Sequence, residues 1–240
     1  MNLLQIRKKF RELSGRFDLV NPDYTDNGAD FFLNEGRKYL DRLQETQKSW
    51  GTYPVLLAIG EYLVKFPYCR SIKEVWVATT TAQWQLEKKT IQDIQASYGQ
   101  GLISDLTAGV PLYYSPCISR YIPEDATPAA LAVFAPYIEI PTGLTGEYNA
   151  VLMNIPTDTA MVVSVKGLFY SMELVNDIDK NYWSEVHPLL LYMAAMRAVE
   201  VTNRSTQGVN DWTSAINTEV TQLGMDLVDE VISEKDQMEG

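Results

Sequence analysis

The sequence predicts an α+β protein in which a helical bundle body carries an inserted antiparallel β-sandwich or barrel-like region. Apolar residues recur at three- and four-residue steps up to about residue 50 and again near the end of the chain, as in amphipathic helices. Between these zones, short β-branched and aromatic runs alternate with turns that contain proline or glycine. No polar linker separates the zones, so we assign residues 1–52 and 175–240 to one helical body and 53–174 to the insertion, in preference to two independent domains.

Two helices are predicted before the insertion. A short helix is expected near residues 2–13, and a turn follows at SGRFDLVNPD. The second helix begins within DYTDNGADFFLN, where Asp26 or Asn27 can accept a backbone N–H as N-cap and Asp30 places a negative charge in the first turn. This stretch starts like an EF-hand calcium loop, but Asn34 stands at the twelfth position, where such a loop needs a bidentate carboxylate. The helix is therefore preferred over a metal site.

The second helix shows an amphipathic pattern. Its apolar positions recur at helical spacing, namely Ala29, Phe32, Leu33, Gly36, Leu40 and Leu43. Its charged positions lie between them, namely Arg37, Lys38, Asp41 and Arg42.

The insertion is expected to consist mainly of short strands. The strand-like runs are TYPVLLAI, EYLVKF, KEVWVATT, WQLEKK, PLYYSP, AVFAPYIEI, AVLMNIP and AMVVSVKGLFYSMEL. The run TIQDIQASYG interrupts them as a short helix, which we expect to be capped by Thr90 and ended by Gly99.

Two long helices are predicted after the insertion. NYWSEVHPLLLYMAAMRAVEVTN is apolar on nearly every side, so we expect one buried central helix with Pro188 in its first turn. After RSTQG, a long amphipathic helix runs to the end of the chain. Its apolar stripe repeats about every 3.67 residues, close to the period of a straight helix. The stripe comprises Val209, Trp212, Ile216, Val220, Leu223, Leu227 and Val231.

Composition and charge narrow the function classes. The charged fraction of 21% and the hydrophobic fraction of 46% are ordinary for a globular protein. The net charge of −11 argues against a face that grips DNA phosphates, yet it permits a wall past which DNA slides. Residues 1–20 carry five basic side chains against two acidic ones, and residues 226–240 carry six acidic against one basic. These ends are either two solvated faces or complementary docking surfaces.

The sequence does not indicate a membrane protein or a secreted one. Its longest apolar run, PLLLYMAAMRAV, is too short to cross a bilayer. In the first ten residues the basic side chains follow the apolar ones, which is the reverse of a secretory signal. Synthesis and folding in the cytoplasm are the simplest expectation.

We predict no catalytic, cofactor-binding or metal site. The single histidine, His187, stands at a helix entrance, and neither Cys69 nor Cys117 lies in a recognisable nucleophile context. GQGLISDLTAG lacks the Lys-Ser/Thr of a phosphate-binding loop. Asp177 and Asp179 could hold a weak ion, although exposed carboxylates in a turn explain them more simply.

The order of several segments resembles that of a known virion protein family. These segments are SGRFDLVNPDYTDNGADFFLNEGRKYLDR, AQWQLEKKTIQDIQASYG, GVPLYYSP and VKGLFYSMELVNDIDKNYWSEVHPLLLYMAA. Together they resemble the head-to-tail adaptor proteins, also called connector or neck-ring proteins, of tailed bacteriophages with short tails. The residues that carry the likeness as a structural motif are Gly28, Asp30, Asn181, Tyr182, Trp183 and Pro188.

This resemblance implies a structural virion protein. Some related adaptors cleave peptidoglycan, but this sequence has no lytic motif and a single histidine, so we expect no enzymatic activity. Such adaptors form a ring, typically of twelve copies, at the head-tail junction between the portal protein and the tail. The ring extends the DNA channel, through which DNA passes without specific binding, and gives tail, nozzle or tail-fibre proteins an attachment site. The alternatives are a tail-tube or tail-terminator ring, a cell-wall hydrolase and a host-interaction module.

The resemblance also implies where the contacts lie. The C-terminal helix from Trp212 to Gly240 is expected to dock on the portal or on a neighbouring subunit, and the basic first helix is expected to face an acidic neighbour. Packing within the chain's own bundle is the alternative for the first half of the C-terminal helix. The predicted interface residues are Trp212, Ile216, Val220, Leu223, Leu227, Val231, Arg7, Lys8 and Arg11.

Overall fold

The computed structural model is a mixed α+β protein, as predicted. It describes residues 1–43, 50–98, 106–117 and 149–238, with side chains up to residue 223 in the last range. The chain forms two compact units: Met1–Thr46 with Tyr170–Gly240, and Gln47–Phe169. The first unit combines both ends of the chain, and the second is one continuous segment. The predicted boundaries at 52/53 and 174/175 therefore differ by about five residues from those of the structure.

The helical unit begins with two helices whose caps are encoded locally. Helix α1 (Leu3–Ser14) starts at Asn2, whose side chain accepts the Gln5 N–H, while the Gln5 side chain accepts the Asn2 N–H. It ends at Gly15, which adopts the left-handed conformation with φ of 66°. Helix α2 (Ala29–Leu43) begins after Asp26.

The predicted cap of α2 is present. Asp26 Oδ1 accepts the N–H groups of Gly28 and Asp30 at 3.1 and 2.9 Å. Asp23 instead stabilises the preceding turn, where it accepts the N–H and the hydroxyl of Thr25. The stretch that resembles a calcium loop therefore uses these carboxylates for turn and cap hydrogen bonds.

The apolar segment after the insertion forms two helices where one was expected, and Pro188 lies in the first turn of the longer one, as predicted. Helix α4 (Tyr182–Val186) ends before His187, and helix α5 (Pro188–Thr202) begins with Pro188 at its first position. The proline ring excludes the preceding residue from the helical region, and His187 has φ of −130° and ψ of 58°. Helix α6 (Thr206–Met238) follows after a short turn.

The core of the helical unit is built around α5. Seven α5 residues are buried: Leu190, Leu191, Met193, Ala194, Ala195, Met196 and Val199. The other helices cover them with residues such as Phe10, Leu33 and Ile216. An added Cβ on Gly36 would lie 2.7 Å from the Ala195 backbone nitrogen, so α2 and α5 touch backbone to backbone at this position.

The second unit contains eight strands in its described part. They are β1 (Trp50–Leu57), β2 (Leu63–Phe66), β3 (Cys69–Ala78), β4 (Gln83–Gln85), β5 (Glu87–Lys88), β6 (Tyr113–Cys117), β7 (Asn149–Met153) and β8 (Met161–Phe169). One sheet has the order β1-β8-β3-β4, and the other has the order β2-β7-β6-β5. Both sheets are open, so the barrel-like alternative is wrong for the described strands.

The pairing is antiparallel except between β5 and β6, which run parallel over Glu87–Tyr113 and Lys88–Tyr114. This exception arises in WQLEKK, which was expected to form one strand. Its first part pairs with β3, and its second part joins the other sheet. Between them Leu86 is buried and donates its N–H to the Val75 carbonyl. A purely antiparallel arrangement is therefore wrong at this point.

Helix α3 (Ile91–Tyr98) interrupts the strands as expected. Thr90 is its cap, because its hydroxyl oxygen accepts the Asp93 N–H at 3.2 Å while Asp93 Oδ2 accepts the Thr90 hydroxyl at 2.7 Å. The expected end at Gly99 and the expected strand AVFAPYIEI lie outside the described residues.

The core of the second unit receives side chains from both sheets. Along β8 the buried positions alternate from Met161 to Gly167, as expected when one face of a sheet is covered. Val163 and Val165 from one sheet share a buried cluster with Val151 and Met153 from the other. Strand β8 ends at Phe169, whereas a strand was expected as far as Leu174. Residues 170–174 instead belong to the helical unit.

Candidate functional site

Residues 170–174, which follow β8 and belong to the helical unit, are hydrogen-bonded to a polar stripe on α2. Asn34 donates to the Leu174 carbonyl at 2.9 Å and accepts the Leu174 N–H at 3.1 Å. One turn further along α2, Arg37 donates to the Ser171 carbonyl. Asn34, Arg37 and Asp41 follow each other at steps of three and four residues, so they share one face of the helix.

Asp41 is the centre of this stripe. Its buried carboxylate accepts the Trp183 indole N–H at 2.7 Å, the Ser171 N–H at 3.0 Å and the Ser171 hydroxyl. Arg37 and Asp41, which lie among the charged positions of the amphipathic pattern, are thus interior residues. The sequence does carry a signal for them, because polar residues at 34, 37 and 41 continue one helical face.

A second buried polar network surrounds Arg7, which is only 4% exposed. The Arg7 guanidinium donates two hydrogen bonds to the Asp30 carboxylate, at 2.9 and 2.6 Å, and one to Asp177 at 2.9 Å. A third partner is the Tyr24 carbonyl. Burial raises the pKa of the Asp30 carboxyl, and the Arg7 guanidinium acts in the opposite direction. We expect both to be charged at neutral pH because the carboxylate is bound bidentately.

Asp177 and Asp179 have structural partners of their own. Asp179 Oδ2 accepts the N–H groups of Val175 and Asn176 at 2.9 and 2.7 Å, and these bonds lower the pKa of its carboxyl. Asp177 binds Arg7. Among the described residues, no three histidine, cysteine or acidic side chains lie close enough to hold a metal ion.

The residues of the family-like motif are brought together in the helical unit. Gly28 precedes α2 with φ of 114°, and Asp30 binds Arg7. The Asn181 side chain caps α4 by accepting the Ser184 N–H at 2.9 Å, and it donates to the Met172 carbonyl at 3.0 Å.

The remaining motif residues also belong to the architecture. Tyr182 and Trp183 pack edge to face with ring centroids 5.0 Å apart, and Pro188 opens α5. The motif therefore anchors the 170–181 segment on α1 and α2, and none of its residues forms a recognisable catalytic arrangement.

The candidate nucleophiles lie in environments that disfavour attack. Cys69 is buried, and burial raises the pKa of its thiol to about 11; burial does the same for Cys117. A thiol with such a pKa is almost entirely protonated near neutral pH, and the thiolate is the nucleophile. His187 lies 3.3 Å from the Tyr182 hydroxyl through its Nε2.

The predicted interface residues divide into four groups. Trp212, Ile216, Val220 and Leu223 pack against the core of their own helical unit, as the alternative for the first half of the last helix states. Arg7 is interior, which corrects its assignment to an intersubunit or portal surface. Lys8 and Arg11 are half-buried over the Tyr24 ring, with Arg11 also 4.8 Å from the Phe17 ring centroid. The side chains of Leu227 and Val231 lie outside the described residues.

Two clefts in the described part of the helical unit could receive a partner. One, of about 280 Å³, lies between α2 and α5 and includes Phe31, Tyr39 and Arg197. The other, of about 320 Å³, lies between the start of α5 and α6 and includes His187, Pro188 and Leu223.

Comparison of the chain with models of known protein families gives no match, and comparison with curated proteins gives none either. Within the described residues, no helix combines the length and the hydropathy that crossing a membrane requires.

Proposed function

We propose that this protein is a head-to-tail adaptor of a short-tailed bacteriophage. In this proposal, copies of the chain form a ring on the portal, extend the DNA channel and provide the attachment site for tail proteins. The helical unit is the body of each subunit, and the β-rich unit is a sandwich-like insertion in it. The proposal draws on the segment order in the sequence and on three features of the helical unit.

The feature that carries the proposal is the length of α6. Leu223 shares a cleft with Pro188, the first residue of α5, so α6 has reached the start of its antiparallel partner by this point. The helix nevertheless continues for 15 residues to Met238, a length of about 22 Å. A helix that continues past its packing partner is suited to docking on another protein.

The sequence of this extension fits a docking role. It continues the apolar stripe with Leu227 and Val231, and residues 226–240 contain six acidic side chains against one basic. An amphipathic helix with one apolar stripe can lie in a groove of its partner. We propose that the groove belongs to the portal protein.

The polar groups of the helical unit support a structural role. Asp30, Asp41, Asp177 and Asp179 all hold backbone or side-chain partners that define the fold. A cell-wall hydrolase needs a carboxylate or another base that faces substrate. In the described part of the helical unit, the acidic residues with the strongest contacts are committed to holding segments of chain together.

Native mass spectrometry of the protein, alone and mixed with the portal ring of the same phage, tests the proposal. We expect a stoichiometric complex on the portal. Val231→Asp is expected to weaken this complex, because it places a charge on the apolar stripe. Ser233→Asp is the matched control, since it adds the same charge about 200° away on the same helix.

The absence of any association with the portal over a range of salt concentrations would overturn the proposal. Binding to isolated tail tubes instead would favour a tail-terminator ring. Release of soluble fragments from purified peptidoglycan would favour a hydrolase. A stable monomer that binds neither the portal ring nor tail tubes would favour a host-interaction module.

A further inference from the structure

The loop formed by residues 172–179 presents apolar side chains to solvent. Met172, Val175 and Ile178 are 58%, 68% and 79% exposed. Single exposed apolar residues are ordinary on a protein surface. Three within seven residues on one short loop form a compact apolar projection, which is typical of a contact surface. We refer to residues 172–179 as the apolar loop.

The apolar loop is held in one conformation by hydrogen bonds from several directions. Asn34 binds both backbone groups of Leu174, and Asp179 accepts two N–H groups from within the loop. The N–H groups of Leu3 and Leu4 at the start of α1 donate to the Asp179 and Asp177 carbonyls at 3.0 and 3.1 Å. A loop that is already ordered loses little conformational entropy on binding, so little of the binding free energy of its apolar side chains is offset by ordering the loop.

The lining of the cleft between α2 and α5 is complementary to the apolar loop, because it is apolar and contains small residues. Its floor contains Ala194 and Ala198, and its apolar walls include Phe31 and Val201, which are 62% and 51% exposed. Small residues at the floor leave room for side chains that enter from outside. We refer to this cleft as the α2–α5 cleft.

The charges of the two surfaces are opposite. The apolar loop carries Glu173, Asp177 and Asp179 against no basic residue of its own, and it stays acidic when Arg7, which binds Asp177 at 2.9 Å, is counted with it. The α2–α5 cleft is lined by Lys38, Arg42 and Arg197 against the single acidic residue Glu35. Opposite charge around apolar contacts favours encounter and fixes their register.

The two surfaces lie on different faces of α2. Asn34, Arg37 and Asp41 face the segment that includes the loop, whereas Phe31 and Lys38 line the cleft. At 100° per residue, the centres of these two sets are about 80° apart around the helix. A loop fixed on the first face therefore does not fill the cleft of its own chain.

We propose that the apolar loop of one copy docks in the α2–α5 cleft of a second copy. The contact joins different surfaces of identical chains, so it repeats from copy to copy and closes into a ring when the rotation allows. This inference deepens the ring proposal, on which it rests, by naming the two surfaces that subunits use. Ile178 is the central side chain of the contact, and Arg42 and Arg197 meet the acidic residues of the loop.

Two variants that each disable one surface test the contact. Ile178→Asp charges the loop, and Val201→Asp places an acidic group where the acidic loop is expected to dock. Each is expected to weaken self-association about tenfold or more, because each charges the centre of an apolar contact. Leu13→Asp is the matched control, since Leu13 is 60% exposed on α1 and lies outside both surfaces.

A mixture of the two variants tests directly whether the loop of one chain binds the cleft of another. The Val201→Asp chain keeps a working loop and the Ile178→Asp chain keeps a working cleft, so an equimolar mixture is expected to form heterodimers that grow no further. Sedimentation velocity measures the size of the complexes in free solution, and native mass spectrometry measures the number of copies bound when the same mixture is added to the portal ring. Unchanged circular dichroism spectra and melting temperatures verify that the variants are folded.

The inference is overturned if both variants assemble like the wild type, or if their mixture behaves as two unassociated proteins. Wild-type binding to the portal with no effect of either substitution would keep the adaptor proposal and remove this contact. Assembly that depends on both surfaces, without any portal binding, would keep the contact and remove the adaptor proposal.

Discussion

Replacement of Gly36 by alanine tests how closely α2 packs on α5. In the structure, the added Cβ would lie 2.7 Å from the Ala195 nitrogen and 2.9 Å from the Ala194 carbonyl carbon. These are backbone atoms of a buried helix, so they cannot rotate away as the end of a side chain can. The two helices would have to separate by several tenths of an ångström at the centre of the core.

Two effects of opposite sign decide the result. Alanine is more favourable than glycine in a helix interior by about 1 kcal/mol. Overpacking of a well-filled core costs about 1–3 kcal/mol, and contact with rigid backbone places this case towards the upper end. We therefore expect Gly36→Ala to lower the free energy of unfolding of the helical unit by about 1–2 kcal/mol.

Urea unfolding followed by circular dichroism at 222 nm measures this change. Asn217→Ala is the control for helix propensity, because Asn217 is an exposed position inside α6, and it is expected to raise stability by a few tenths of a kcal/mol. Ala195→Gly is not expected to rescue Gly36→Ala, since the nearest atom of residue 195 belongs to the backbone. A Gly36→Ala protein that is more stable than the wild type would refute the close approach of the two helices.

Three further predictions concern single side chains. Trp183→Phe is expected to reduce the free energy of unfolding by about 1.5–3 kcal/mol in urea titrations, because it removes a hydrogen bond to the buried Asp41 carboxylate. A change below about 0.5 kcal/mol, as for an ordinary surface substitution, would contradict this. Asp179 has a lowered pKa in the folded state, so its stabilising contribution is present above its unfolded pKa of about 3.8 and is lost as the pH falls through the folded pKa. The free energy of unfolding of Asp179→Asn should therefore depend less on pH in the acid range than that of the wild type. Parallel plots of this free energy against pH for the two proteins would exclude this role. Cys69 and Cys117 should react slowly with a thiol-specific disulfide reagent at pH 8 and faster after unfolding, since burial raises the pKa of both thiols to about 11. Rapid labelling of the native protein would contradict the buried environment of these thiols.

Much of the helical architecture could be predicted because its signals are local. The cap of α2 by Asp26 and the cap of α3 by Thr90 depend on residues within four positions of each other. The apolar stripe of α6 is periodic, and its residues Trp212, Ile216, Val220 and Leu223 pack against the core. The amphipathic pattern also placed α2 within the core, with Leu33 and Leu40 fully buried.

Other features depend on partners that are distant in the sequence. Asp41 and Ser171 are 130 positions apart, and Arg7 and Asp177 are 170 apart. A charged residue on a helix looks the same in the sequence whether it faces water or a buried partner. For this reason the pattern gave no sign that Arg7 is an interior residue, and for Arg37 and Asp41 it showed only a shared helical face, without the buried partners of that face.

The sequence by itself determined the α+β class, the order of helical and strand-rich zones, most helix starts and the long apolar stripe near the C-terminus. These follow from backbone hydrogen-bonding periodicity and from caps, which act over a few residues. Only the tertiary structure decided which carboxylates are buried, where WQLEKK leaves one sheet for the other, and that the apolar loop and the α2–α5 cleft lie on different faces of α2. These depend on which segments meet in space, because burial and pairing are set by the free energy of the whole packed chain.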